Sequence, residues 1–235
     1  LNILFSDKTG TITKGEMEVV QFFSGDGTII DTKQINNYPD IREKLHVAIG
    51  KNTSSMFDEH HRVISGNATD QALMKFLGED SYLKMKEDPS LEVFASQKFN
   101  SSNKFSQAQI GGLTYYKGAP ERLLQKADRY MGTDGQLHPL DLSCINQRID
   151  TLAKKAMRVI AFGYSEEPLQ ENCISGNLVL IGLAAIRDDV RPEARIAIHD
   201  VQKAGIQVVM ITGDRLETAS AIAKDAGLVH SDEDV

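Results

Sequence analysis

The feature that most constrains this chain is a pattern that occurs near both of its ends. Leu1-Asn2-Ile3-Leu4-Phe5 is an apolar run followed, after Ser6, by Asp7-Lys8-Thr9-Gly10-Thr11-Ile12-Thr13, and Gln207-Val208-Val209-Met210-Ile211 breaks in the same way into Thr212-Gly213-Asp214. A strand that stops in a carboxylate, hydroxyls and glycine sets a nucleophile and anion-binding groups at a sheet edge, where α/β folds bind ligands. Asp7 is therefore a candidate nucleophile, although an isolated Asp in this position most often caps a turn. Around the second motif the periodicity is helical: Pro192–Lys203 is stopped by Gly205, and 216–226 by Gly227. This order predicts a doubly wound parallel sheet formed jointly by residues 1–16 and 187–235.

Residues 17–186 differ in character. Gly25-Asp26-Gly27, Gly111-Gly112 and Thr133-Asp134-Gly135 punctuate short alternating runs, and Ile110-Gly111-Gly112-Leu113 is a two-residue hairpin signal. The expectation is an inserted α+β domain on an antiparallel sheet, with helices over 40–48, 69–77, 120–130 and 142–156 and strands over 159–164 and 178–186. No apolar stretch approaches the about 20 residues a membrane helix needs. A formal charge of −7 without a basic cluster argues against nucleic acid as a partner. Two cysteines, Cys144 and Cys173, lack metal-ligand spacing. Opening at a strand with no signal peptide, the chain reads as a fragment of something longer.

Asp7-Lys8-Thr9-Gly10-Thr11 is identical to the phosphorylation motif of the P-type ATPases, and the chain resembles their cytoplasmic part: a haloacid-dehalogenase-like phosphorylation domain with a nucleotide-binding domain inserted. Three further stretches carry the resemblance. Gly66-Asn67-Ala68-Thr69-Asp70-Gln71-Ala72-Leu73 is similar to the family's Gly-Asx/Glu-x-Thr-Glu-x-Ala-Leu, with Asp70 one methylene shorter than the usual Glu, so a water could bridge it to adenine. Phe99-Asn100-Ser101-Ser102-Asn103-Lys104 resembles Phe-Ser-x-x-x-Lys, in which Phe stacks on adenine and Lys reaches nucleotide, and Lys117-Gly118-Ala119-Pro120-Glu121 matches without change. Read without the family, Thr69-Asp70 is equally a helix start, Phe99 a core residue and Arg158 a solvated strand-start arginine.

The resemblance implies that ATP binds at Asp70, Phe99, Lys104, Lys117, Gly118, Arg158 and Arg191, with Arg158 bridging phosphates toward the phosphorylation domain. It implies that Asp7 accepts the γ-phosphate, that Asp7 and the Thr9 carbonyl bind Mg²⁺, and that Lys8, Thr9, Thr212, Gly213 and Asp214 complete the catalytic loop. Asp188-Asp189-Val190-Arg191-Pro192 resembles the Asp-Pro-Pro-Arg hinge; Asp188 and Arg191 keep their places, while loss of both inner prolines predicts a looser hinge. The family's metal-binding Gly-Asp-Gly-x-Asn-Asp loop does not occur in these 235 residues, so this stretch is expected to bind nucleotide but to phosphorylate itself poorly. The implied partners are the membrane helices and actuator domain of a longer pump, at the cytoplasmic face of a membrane, and the motifs lean toward calcium-type rather than heavy-metal pumps. Two rivals remain. A soluble phosphatase of the same fold would usually place an acidic residue where Thr9 stands; a non-catalytic nucleotide-binding module would need none of this end.

Overall fold

The computed structural model describes residues 2–213 and 216–231; Asp214 lies outside them. In the first part of the chain, β1 (Ile3–Asp7) leads through a turn to the long β2 (Thr13–Phe23) and the short β3 (Ile29–Ile30). Helix α1 (Pro39–Gly50), the hairpin β4 (Met56–Phe57) and β5 (Val63–Ile64), and helices α2 (Ala68–Leu77) and α3 (Glu79–Glu87) follow. Then come β6 (Val93–Gln97), β7 (Phe105–Ile110), β8 (Leu113–Gly118), α4 (Pro120–Leu123), β9 (Ala127–Met131), β10 (Leu137–Pro139) and α5 (Leu142–Ala153). The chain continues through β11 (Arg158–Ser165), β12 (Leu178–Val190), α6 (Pro192–Lys203), β13 (Gln207–Ile211) and α7 (Leu216–Asp225).

Nine strands form one mainly antiparallel sheet, in the order β10-β9-β12-β11-β8-β7-β6, with β2 and β3 reached through β12. Its central strands β11 and β12 are buried on both faces over most of their length, so they read as largely continuous apolar runs rather than alternating ones. Successive residues show it: Phe22 packs with α1 and α2 on one face, and Phe23 packs with Leu123 and Ile145 on the other. The two-residue turn forms as expected, with Ile110 opposite Leu113. Gly111 and Gly112 both take the positive φ such a turn requires.

Of the four remaining strands, β4 and β5 pair as an isolated hairpin, while β1 and β13 pair in parallel as a separate two-stranded sheet, covered by a smaller cluster of Ile12, Val190, Ile198, Val208, Ile222 and Ala226. The observed fold is thus mixed α/β around an antiparallel sheet, and among the described residues the wound parallel sheet amounts to this one pair.

Three expectations change. The helix over 120–130 stops at Leu123, because 127–131 is claimed by β12, pairing Ala127 with Leu178 and Tyr130 with Leu180. The helix from Leu142 ends at Ala153, three residues early, and Ala156 takes a left-handed φ of 57°. The strand over 178–186 runs on to Val190, because Arg187, Asp188 and Val190 keep pairing with β2.

Candidate functional site

The register of three neighbouring strands builds the site. β7 begins at Phe105, opposite Gly118 at the end of β8, which lies opposite Ala161 near the start of β11. Three strand ends therefore meet at one sheet edge, and the N-terminus of α2 closes over them. Asn67 caps that helix, its Oδ1 accepting from the Asp70 N–H at 2.9 Å. The result is a cleft of about 690 Å³ lined by Asp70, Phe99, Lys104, Lys117, Gly118 and Arg158, among others. Stretches far apart in sequence supply those six residues, and the fold brings them to one cavity.

Each plays a distinct physical part. Phe99 is 52% exposed, an aromatic face left at the mouth of the cleft rather than in the core. Lys117 points inward, its Nζ 2.5 Å from Asp70 Oδ1 and 2.5 Å from the Asn52 carbonyl. Burial pushes this ammonium below its ordinary range while Asp70 pulls it back up. The second oxygen of Asp70 accepts from the Ser54 N–H at 3.4 Å. Gly118 has no room for a side chain, since a Cβ there would lie 2.5 Å from the Lys104 carbonyl and 2.6 Å from the Phe105 Cβ. Its absent side chain thus accommodates the neighbouring strand. Lys104 Nζ meets Glu121 Oε1 at 3.1 Å, and Arg158 Nη1 donates to the Thr69 hydroxyl at 2.8 Å.

Arg158 also lines a second cleft, of about 830 Å³, with Lys8, Lys154, Arg187, Asp188 and Gly213. This one lies between the nine-stranded sheet and the β1–β13 pair. Asp7 is paired in register with Ile211, so the two strand-end motifs lie side by side: Asp7-Lys8-Thr9 at the end of β1, Thr212-Gly213 at the end of β13. Asp7 is exposed and Lys8 buried. Gly10 turns the loop with a φ of 80°, and a Cβ at Gly10 or Gly213 would meet open space.

Arg191 lines neither cleft; it is a clamp on the loop. Its guanidinium donates to the carbonyls of Thr13 (3.0 Å), Gly10 (3.1 Å) and Lys14 (3.4 Å). Asp188 accepts from the Thr13 hydroxyl at 2.6 Å and the Gly15 N–H at 2.9 Å. Sequence reasoning missed Arg187, which holds Asp189 at 2.6 Å and Asp225 of α7 at 2.8 Å. The signal was present: where the hinge motif loses proline it gains a carboxylate, two residues from an arginine. Thr69 and Asn52 were missed as the partners of Arg158 and Lys117.

Known proteins match over most of the chain. The family model described as P-type ATPase, cytoplasmic domain N, matches residues 41–193. A plasma membrane-type protein of Oryza sativa, calcium-transporting ATPase 7, is 31% identical over 250 residues, 97% of this chain and 24% of its own length. A calcium-transporting ATPase of Listeria monocytogenes is 28% identical over 253 residues, covering 99% of this chain and 28% of the relative. A probable cation-transporting ATPase F of Mycobacterium tuberculosis is 29% identical over 258 residues, 98% of this chain and 28% of the relative. The chain spans about a quarter of the length of these curated relatives.

Proposed function

Since the chain belongs to the P-type ATPases, with their cytoplasmic N domain over residues 41–193, we propose that it is the ATP-binding and phosphorylation part of a cation pump of the calcium-transporting type. The observation that carries this reading is the convergence of Asp70, Phe99, Lys104, Lys117, Gly118 and Arg158 on one 690 Å³ cleft, with Arg158 reaching into a second cleft shared with Lys8 and Gly213. Adenine stacks on the exposed Phe99 face, Lys104 and Arg158 take the phosphates, and the Lys117–Asp70 pair forms the polar floor. Residues 17–186 act as the nucleotide-binding domain, and residues 1–16 with 187–235 as the haloacid-dehalogenase-like phosphorylation domain.

In the transfer itself a carboxylate oxygen of Asp7 forms a bond to the γ-phosphorus while the bond to the β-bridging oxygen breaks, giving an aspartyl-phosphate and ADP. Thr212 and Gly213, beside Asp7 across the strand pair, donate to the phosphoryl oxygens. The Asp7 carboxylate and Thr9 carbonyl are hard oxygen donors of the kind Mg²⁺ takes. Among the described residues no group of three acidic, His or Cys side chains surrounds them, so these two oxygens fit a metal ion shared with phosphate and water. When bound, Mg²⁺ supplies charge neutralisation. Among the described residues no helix is long and apolar enough to cross a membrane; membrane helices and an actuator domain belong, on this reading, to the longer protein, with this part at the cytoplasmic face.

Titration with ATP, followed by chemical shifts, tests the first half: changes are expected at Phe99, Lys104 and Lys117, with a Kd on the order of 0.1–1 mM. No shifts at those residues would remove the nucleotide assignment. For the second half, γ-labelled ATP given to the pump-length protein should yield an acid-stable, hydroxylamine-sensitive phosphoenzyme that Asp7→Asn abolishes; labelling that survives the substitution rules out Asp7.

A further inference from the structure

Resting on the nucleotide reading above, we propose that Glu121 is an internal competitor for Lys104, a carboxylate that occupies the ammonium until phosphate displaces it and so sets how strongly the cleft favours ATP over adenosine. Three observations carry this. First, the cleft's cations are not equivalent. Lys117 is buried and committed to Asp70 and the Asn52 carbonyl, and Arg158 donates to a neutral hydroxyl, whereas Lys104 is held by a carboxylate that itself lines the cleft.

Second, the pair is built into the backbone. Lys104 has a φ of 61°, in the left-handed region a residue with a Cβ rarely adopts. Its N–H donates to the Asn100 carbonyl and its carbonyl accepts from the Ala119 N–H, both at 2.9 Å. Ala119 stands two residues before Glu121, so both members of the pair hang from one hydrogen-bonded frame. Third, both side chains are slightly more than half exposed, 55% and 56%. An ion pair so open to water is weak and exchanges partners readily, so an incoming phosphate can displace the carboxylate.

The consequence is a change in selectivity. Removing the carboxylate charge frees Lys104 and ends its repulsion of the phosphates, and neither effect touches an uncharged nucleoside. Calorimetric titration of the chain at ~50 mM salt, where the screening length is ~14 Å, gives the readout. ATP and adenosine are titrated into the unsubstituted chain, Glu121→Gln, Lys104→Gln and the double variant, each checked by thermal unfolding. Glu121→Gln should tighten ATP about three- to tenfold and leave adenosine unchanged. The gain should shrink by at least half in the Lys104→Gln background and at ~0.5 M salt.

ATP affinity unchanged or weakened by Glu121→Gln overturns the proposal. So does equal tightening of adenosine, or a full gain without Lys104, which would make Glu121 a source of general repulsion rather than a competitor. Failure of the unsubstituted chain to bind ATP is a different result: it removes the nucleotide reading, and this inference falls with it.

Discussion

The nine-stranded region and the β1–β13 pair are built to different standards. The first buries both faces of its sheet, with Phe22, Phe162 and Ile186 fully covered on one side and Phe23, Phe105 and Leu180 on the other. The second has, among the described residues, two strands, a buried cluster of six apolar residues and a row of exposed ones: Ile3, Leu4, Phe5 and Ile211 are 38–62% exposed. Two strands alone are marginal in water, and here they rest on α6 and α7. The difference teaches which of the two sheets these residues close over on both faces. The cleft that recognises a ligand by shape is carved into the well-packed region, and the candidate nucleophile sits in the thin one.

Truncation tests the contrast most directly. Phe22→Ala should cost about 3–5 kcal/mol in urea unfolding, because the cavity left between α1, α2 and the sheet cannot collapse. Val208→Ala, in the small cluster, should cost about 1.5 kcal/mol, the transfer value of two methyl groups. Equal losses would break the comparison. Next in size, Lys117→Met should destabilise the chain by about 3 kcal/mol, since it leaves the Asp70 carboxylate buried without its cation; a change under about 1 kcal/mol would mean that water reaches this floor.

Phe99→Ala should separate recognition from stability within the same region. ATP binding should weaken by about 1–3 kcal/mol while the melting temperature hardly moves, because the ring is half-exposed already. The smallest effect is an acid one. Burial, with Arg42 adding to it, pushes the His46 imidazole in α1 down to about 4 from an ordinary 6.5. The unfolded chain binds a proton that the folded chain refuses, so this contribution is complete above about pH 6.5 and is lost as pH falls toward 4. With solvent screening allowed for, it amounts to about 1–2 kcal/mol. His46→Gln should flatten the acid limb of a stability–pH profile, and an unaltered limb would place the acid sensitivity elsewhere.

Much of this contrast was legible in the sequence, and the failures have physical causes. Helix α6 and the Gly111-Gly112 hairpin follow from local signals, a proline at the first turn and paired positive-φ glycines, which no tertiary contact opposed. Residues 127–131 could not be read locally, because Ala127, Tyr130 and Met131 satisfy a helical spacing as well as an extended one. Only pairing with β12 decides between them. The last stretch of β12 was hidden for the opposite reason: Arg187, Asp188 and Asp189 look like a loop, and the strand runs on because β2 supplies partners to Arg187, Asp188 and Val190. The cleft's membership came from motifs, yet its internal pairings did not. That Lys117 faces Asp70, that Arg191 holds the loop's carbonyls, and that Gly118 makes room for β7 are matters of direction, which spacing does not encode.

The long partnership of β2 with β12 has a mechanical consequence. Beyond Ile186, the last β12 residue that also has Arg158 beside it, only Arg187, Asp188 and Val190 continue, facing Glu18, Met17 and Thr13. What joins the two regions there is a ribbon two strands wide. Such a ribbon is stiff in tension, where covalent backbone carries the load, and compliant in torsion, since paired strands twist over a wide range. Breaks in register between Ala185 and Ile186 and between Asp188 and Val190 bracket it, and bulges concentrate twist. Its lower end is gripped by Arg191 and Asp188, its upper end by the nine-stranded sheet. The joint is therefore built to resist sliding more than twisting: any turn of one region against the other falls on this ribbon, with Arg158 beside its upper end and Thr13, held by Asp188, at its lower.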